Sequence, residues 1–387
     1  MRYAFLVFFF IISGNLFAQV IERSLVIKDA DTQQPIEDAT VYVVKTKQTL
    51  LSNTNGVVTF IVNGASNIQI SHTSYMAITV KTVTLKDRET VIYLKSNVNN
   101  LDEVIITKKH PQKILKALIE NSSQKLTVPA RLKVYSREFF KLNGTYSYYN
   151  DGLINFQISG KSTHFKTDIL VEQNRSYGLI DTEVSADLLG YNLNDIMENY
   201  YNFKYLNPLL ESSARKEFEF LIKAYAANSN YYMMTVSPMD NSKALLDTFT
   251  IIYDNKEKII IEVSAYLSPA TLSRVEEKTA VGTKNIYKSF YKTIYRNDGT
   301  NYYLISSKEE IGFQKNGKKK TNTIEVRNYF ITTNFSNQNY SFKEGEEFKD
   351  KTLFNKNNVI LSDYWSTSGL TATPEEQNII DTLEEKE

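Results

Sequence analysis

The chain has 387 residues, with 45 Lys and Arg against 44 Asp and Glu, a formal charge of +1, and no cysteine. Balanced charge gives no electrostatic reason to bind a polyanion, so nucleic acid is disfavoured as a partner. Without cysteine there is neither a disulfide framework nor an N-terminal lipid on Cys, and stability must come from hydrophobic cores, arranged at this length in roughly two or three domains.

Residues 1–18 read MRYAFLVFFFIISGNLFA: one cation at Arg2, an apolar run from Tyr3 to Ile12, then Ser-Gly-Asn and a Leu16-Phe17-Ala18 end. This is the layout of a secretory signal peptide, too short to cross a bilayer, with cleavage expected after Ala18 and Gln19 as the first mature residue. Loss of Arg2 leaves the mature charges in balance. No later window reaches the ~18 apolar residues of a membrane-spanning helix, so the mature chain is expected to be exported without a transmembrane segment.

From residue 19 to 98 the pattern is all β. The runs SLVIK, ATVYVVK, VVTFIV, NIQISH, ITVKTVTL and TVIYL are separated by turn-forming stretches such as Asp29-Ala30-Asp31-Thr32, Thr54-Asn55-Gly56 and Lys86-Asp87. Short strands with regular punctuation favour a small sandwich, and Asn55-Gly56 suits a tight turn that needs positive φ.

The order VIKDADTQQPIEDATVYV, SNTNGVVTFIV, ISHTSYMAITV and LDEVIIT resembles the carboxypeptidase-regulatory-like domain, a transthyretin-type or immunoglobulin-like β-sandwich. Pro35 and Ala39 match its G-x-P-L-x-G-A turn, whereas Gln34 and Asp38 stand where glycines are common. The resemblance implies an envelope protein of a Gram-negative bacterium, in the periplasm or on the periplasmic face of the outer membrane, with an envelope protein as partner. It does not imply peptidase activity, because the module is an accessory in carboxypeptidases.

Residues 99–129 hold an exit strand and a connecting helix. Val91 to Leu94 can close the sandwich and Asn97 to Asn100 form a polar break, so Val104 to Ile106 is expected to pair with a sheet edge beyond it. Pro111 suits the first turn of a helix, and Ile114, Leu115, Leu118 and Ile119 recur on one stripe up to Leu126.

Residues 130–387 return to long, Tyr-rich strands, expected as one large antiparallel sheet. In KIIIEVSAYL, Ile259, Ile261, Val263, Ala265 and Leu267 are expected on one face, with Ile260, Glu262, Ser264 and Tyr266 on the other. Asp254-Asn255, Asn297-Asp298-Gly299 and Asn316-Gly317 fit hairpin turns. A helical insert is expected over 185–227, with Leu188, Leu189, Ile196, Met197, Leu209, Leu210, Phe218, Leu221 and Ile222 as its apolar stripes. Thr373-Pro374-Glu375-Glu376 is a capping box ahead of Ile379, Ile380 and Leu383, so residues 373–385 are expected to form a short docking helix. The fold class is therefore mainly β (α+β), an N-terminal sandwich followed by an antiparallel sheet domain with a helical insert. The middle region resembles longer envelope proteins that continue into an outer-membrane barrel, and this chain is expected to be a short form without it, since no series of membrane strands follows Phe335. The sheet also resembles the half-barrels of lipoprotein carriers, which cup acyl chains.

Catalytic signatures are weak. His72, His110 and His164 form no HExxH pattern, so neither zinc nor another cofactor is expected. GFQKNGKK, residues 312–319, falls short of a phosphate loop because Lys319 replaces the hydroxyl and the context is a hairpin. Glu276-Glu277, Glu309-Glu310 and Glu346-Glu347 are read as solvated edges, since neighbours along a strand point to opposite faces. Tyr287, Tyr291 and Tyr295 share one strand face, with Tyr303 and Tyr329 on neighbouring strands. This set suits an aromatic platform for glycan or a groove for lipid, and equally suits cross-strand packing. The resulting expectation is a non-catalytic envelope protein acting as a binding or assembly module, with a lipid or lipoprotein carrier and a glycan-binding protein as alternatives.

Overall fold

Strand alternation in the first hundred residues builds β1 (Ile21–Asp29), β2 (Thr40–Val43), β3 (Gln48–Leu51), β4 (Val57–Val62), β5 (Asn67–His72), β6 (Tyr75–Lys81) and β7 (Glu89–Leu94) in a computed structural model. The residues described are 21–386, leaving out 63, 87–88, 97–102, 163, 181–191, 241, 243–245, 273–283, 317–320, 339, 341, 344 and 355. The expected signal peptide, the 97–100 break, Leu188, Leu189, Glu276-Glu277 and the 317–320 hairpin tip lie outside them.

Two layers, β4-β1-β7 and β3-β2-β5-β6, enclose a core that includes Leu25, Ile27, Val41, Val58, Phe60 and Ile68, all fully buried. β7 runs parallel to β1 and closes its layer, as expected for Val91 to Leu94. At the β3–β4 turn, Asn53 Oδ1 accepts the amides of Asn55 and Val57, and Gly56 takes φ +74°. A Cβ at Gly56 would sit 2.3 Å from the carbonyl oxygen of Ile27, so the position requires glycine sterically as well as conformationally.

The larger unit is a ten-stranded sheet. Its strands are β8 (Ala130–Leu142), β9 (Thr145–Lys161), β10 (His164–Gly178), β11 (Phe218–Ala224), β12 (Tyr231–Pro238), β13 (Asp247–Asp254), β14 (Ile259–Leu267), β15 (Lys284–Asn297), β16 (Tyr302–Asn316) and β17 (Thr321–Ser336). They run in the order β10-β9-β8-β17-β16-β15-β14-β13-β12-β11 with every neighbour antiparallel. The last strand thus joins the first three to the remaining six. Both margins are partly covered, which limits edge-to-edge association. The amide of Ile105 donates to Ile222 O and that of Ala224 to Glu103 O, so the exit segment does pair with the β11 edge. At the other margin, Asn174 of β10 exchanges two backbone hydrogen bonds with Val359. Ile105 packs on the core while Ile106 is 95% exposed.

Helix α1 (Pro111–Lys125) begins at His110, whose Nδ1 accepts the Gln112 amide, and buries Leu115, Leu118 and Ile119. The insert contains α2 (Ile196–Tyr201), a 3-10 turn at Lys204–Leu206, α3 (Asn207–Leu210) and α4 (Ala214–Glu217). It ends at Glu217, a correction to the expected helix through residue 227. Phe218, Leu221 and Ile222 lie instead on β11, paired with β12, because FEFLIKA alternates with the period of a strand: Phe218 and Ile222 are buried and Glu219 is exposed. A second correction concerns β14. A bulge opposite Ile252 and Tyr253 interrupts its alternation, so Ile260, not Ile261, continues the face of Val263 and Ala265. After a short α5 (Pro269–Leu272), the chain ends in α6 (Pro374–Glu384), where Thr373 and Glu376 form both halves of the capping box and Ile380 and Leu383 are buried.

The cross-strand register assigns the two faces of the sheet. One carries Lys292, Lys308, Tyr329, Arg137, Asp151 and Arg175 in a single row, and the sandwich and α6 pack on it. The opposite face carries Tyr291, Glu309, Asn328, Glu138 and Asn150, and the helical insert packs on it through Tyr205.

Candidate functional site

The five tyrosines singled out in the sequence do not form one platform. Tyr291 and Tyr295 lie on the insert face, where Tyr205 packs edge-on to Tyr291 and its hydroxyl lies 2.9 Å from that of Tyr295. Tyr295 also donates to Tyr200 O and is buried. Tyr329 and Tyr303 belong to the sandwich face. Tyr329 is buried among the side chains of Lys308 and Arg327, and Tyr303 stacks on Phe335 at 4.0 Å. Tyr287, at a bulge in β15, covers Gly312 and donates to Glu325. Strand propensity and cross-strand packing account for this set.

The solvated-edge reading is corrected for Glu309-Glu310, because β16 is an interior strand of the sheet. The two side chains do take opposite faces. Glu310 pairs with Lys288 at 2.7 Å and Lys308 at 3.6 Å on the sandwich side, and Glu309 meets Asn328 on the insert side.

On the sandwich face a buried ionic network ties the C-terminal segment to the sheet. Arg175 binds Asp151 at 2.9 Å and stacks beneath Trp365 at 4.2 Å, while the hydroxyls of Tyr135 and Tyr149 both donate to Asp151. Arg137, 1% exposed, contacts Glu376 at 3.3 Å and donates to Leu370 O. Beside it, Lys292 reaches Asp38 of the sandwich at 3.1 Å and Lys308 reaches Glu37 at 2.9 Å. Burial opposes the charge on Lys292, but Glu262 and Asp38 outweigh it and hold the ammonium above its ordinary range. Of the charged side chains, Glu37, Asp38, Lys292, Lys308, Arg327 and Glu376, all ion-paired, line a cavity of about 180 Å³ together with Glu375.

The larger space is an open cleft of about 1080 Å³ between the β2-β5-β6 side of the sandwich and the β14–β15 region of the sheet. Its walls touch at a few fixed points. Thr73 donates to Glu262 at 2.8 Å, the Ser74 hydroxyl lies 2.9 Å from that of Tyr225, and Arg296 stands over the Tyr42 ring at 4.4 Å. β6 is the outer strand of its layer, and residues 75–79 line the cleft. Met76 there is 52% exposed. His72 accepts the Ser74 amide on Nδ1, and burial followed by the nearby Lys292 charge lowers its pKa, leaving it neutral at pH 7. Sequence reasoning missed this cleft, since its two walls are about 200 residues apart along the chain.

No family model matches the chain, and no curated protein is similar to it at a significant level. Among solved structures, it is similar to MucB in complex with the periplasmic part of MucA, at 8% identity over 60% of this chain and 100% of the other, with a TM-score of 0.20. A LolA superfamily protein from Nitrosomonas europaea gives 8% identity over 60% and 97%, TM-score 0.22. Lipovitellin gives 13% identity over 64% of this chain and 29% of its own, TM-score 0.25. At such scores these likenesses carry no argument about function.

Proposed function

We propose that this protein is a non-catalytic binding module of the bacterial cell envelope, with an N-terminal regulatory-like sandwich, and that it takes an extended segment of an envelope protein partner into the cleft between sandwich and sheet. The observation that carries the reading is the cleft itself, bordered by an outer strand and held at fixed width by contacts between its walls. At Tyr75–Met76 the outer edge of β6 already pairs with Lys95 and Ser96, through the Met76 amide and the Lys95 carbonyl; beyond them no further strand of the described residues pairs with this edge, which offers backbone groups to a partner segment while flanking side chains supply selectivity. The non-catalytic reading is supported by the state of the cleft's titratable groups: His72 accepts a backbone amide, and Glu262 is engaged by Thr73 and Lys292. Export rests on the signal-peptide pattern at residues 1–18.

The geometry gives less support to the alternatives. A lipid carrier needs an open apolar groove, but Tyr200, Phe203 and Tyr205 of the insert pack against Tyr291, Tyr295 and Phe330 of the sheet. A glycan platform needs exposed rings, and Tyr295, Tyr303 and Tyr329 are buried. The test is site-specific photocrosslinking in intact envelopes, with the crosslinker at Met76 in the cleft or at Val83, which is 70% exposed and does not line it. A discrete protein adduct at Met76 and none at Val83 is expected. Equal adducts at both, or none at Met76, refute the reading.

A further inference from the structure

The cleft between sandwich and sheet is lined by four charged side chains among the described residues, Asp38, Glu262, Arg296 and Asp298, and each is engaged within the chain. Asp38 holds the Lys292 ammonium at 3.1 Å. Glu262 accepts from Thr73 at 2.8 Å and faces the same ammonium at 3.5 Å. Arg296 stands over the Tyr42 ring at 4.4 Å and lies 3.5 Å from Gln69 Oε1. Asp298 Oδ1 accepts the amides of Thr300 and Asn301 in its own turn. A charged group brought in by a partner would lose hydration and meet no free counter-charge.

The neutral polar side chains are in the opposite state. Tyr42, Gln69 and Thr79 stand in register across β2, β5 and β6, and Thr40 and Ser71 form the next pair on the same face. The alternate residues Val41, Ile68 and Ile70 are fully buried in the sandwich core, so this row is the outer face of its layer. Gln69, Ser71 and Thr79 are exposed, as are Asn297 and Thr300 on the facing wall, and all five line the cleft. Their hydroxyls and amides are available to a ligand that offers the same chemistry.

Backbone direction fixes where a segment would lie. The Thr82 amide donates to Ser66 O, and the register continues through Val80 opposite Ile68 and Ile78 opposite Ile70. Backbone groups alternate in direction along an antiparallel strand, so those of Val80 and Ile78 turn towards β5 and those of Thr79 turn to the open side. The opposite edge of this layer is covered by the chain itself, where the Leu51 amide of β3 donates to Gly369 O. A strand added beside Thr79 extends the row Tyr42-Gln69-Thr79 by one position, and every second side chain of that strand then faces the cleft.

We propose that the partner segment is a strand whose cleft-facing residues, every second one, are uncharged hydroxyl and amide side chains, with charge tolerated only at the intervening positions. This rests on the reading of the cleft given above and names the chemistry that the cleft selects. A neutral glycan matches the side chains of the walls but not the outward amide and carbonyl of Thr79, which favours a peptide backbone.

The test is selection of a random nonapeptide phage library on the full chain, with selected clones re-probed on two variants. Thr79→Pro removes the outward amide, and Thr300→Trp fills the cleft from the other wall at an exposed turn. Circular dichroism checks both folds, and Thr300→Trp sorts the clones by itself if Thr79→Pro unfolds. Clones lost on the variants are expected to show Asp, Glu, Lys and Arg depleted about fivefold at alternate positions only, and affinity that changes less than about twofold between roughly 0.05 and 0.5 M NaCl. Charge at every position of such clones, or affinity falling more than about tenfold with salt, overturns the proposal and leaves the cleft reading standing. Displacement of the clones by dextran overturns it in favour of a glycan. If no clone is lost on either variant, the cleft reading falls together with this one.

Discussion

Glu376 is the side chain on which the C-terminal segment depends most. It accepts the Thr373 amide in the capping box, contacts Arg137 at 3.3 Å, and contacts Arg327 at 3.2 Å, with its side chain 6% exposed and that of Arg137 1% exposed. Glu376→Gln keeps the shape and the capping acceptor but leaves two guanidinium groups facing a neutral amide. Removing one partner of a buried pair costs roughly 3–5 kcal/mol. Arg137 retains Leu370 O and the Tyr135 hydroxyl as acceptors, which places the expected loss at the lower end, about 3 kcal/mol. Thr373→Ala serves as the internal comparison, because it removes only the cap and costs about 1 kcal/mol. The sequence has one tryptophan, Trp365, stacked on Arg175 in the same segment, so its fluorescence in urea reports detachment of this region, and circular dichroism reports the sheet. If Glu376→Gln costs no more than Thr373→Ala, Glu376 is a cap residue and the ionic network is not what holds the segment. A double variant with Arg137→Met adds a second check: replacing both partners is expected to recover at least half of the loss.

Other expectations concern the sheet and the sandwich. The Glu138 carboxyl is raised in the fold from an ordinary value of 4.5 to about 8, so the folded state holds a proton that the unfolded chain has released; its contribution to stability falls as pH rises from about 4.5 to 8. Relative to the native chain, Glu138→Gln is therefore expected to gain stability between pH 5 and pH 8 in urea titrations, and a pH-independent difference would refute the assignment. Tyr201 is fully buried with a hydroxyl that has no partner among the described residues, so Tyr201→Phe is expected to leave the unfolding free energy in urea unchanged or raise it, whereas a fall of more than ~1 kcal/mol would reveal a missing partner. Gly56→Ala forces a side chain into φ +74° and against Ile27 O, and a loss of about 2 kcal/mol is expected in thermal unfolding of the sandwich; retention of full stability would mean that the turn relaxes easily.

What the sequence made legible was local. The β1–β7 strands, the Asn55-Gly56 turn, helix α1 and the capping box at Thr373 depend on contacts within a few residues, where alternation, capping chemistry and turn preference act directly. At Phe218 the sequence FEFLI is apolar enough to read as a helical stripe, and its strand state is decided by pairing with β12, which follows later in the chain. The bulge in β14 had no local signal in KIIIEVSAYL, where a run of three isoleucines reads the same in either register. Pairing of the 103–105 segment with β11 was expectable as pairing, but the identity of its partner strand was not.

The sites were less legible than the fold, for a physical reason visible in Glu309-Glu310. Adjacent in sequence, the two residues reach opposite faces of an interior strand: Glu310 enters a network with Lys288, Lys308 and Arg327, while Glu309 enters a band with Asn328 and Glu138. Composition shows balanced charge overall and conceals that the register separates it by face. Lys292, Lys308, Arg137 and Arg175 lie on the sandwich side with their carboxylate partners, and Glu138 and Glu309 lie on the insert side without cations among the described residues. That separation cannot be read from any window of sequence, because it requires the order β8-β17-β16-β15, in which the last strand lies between the first group of strands and the rest.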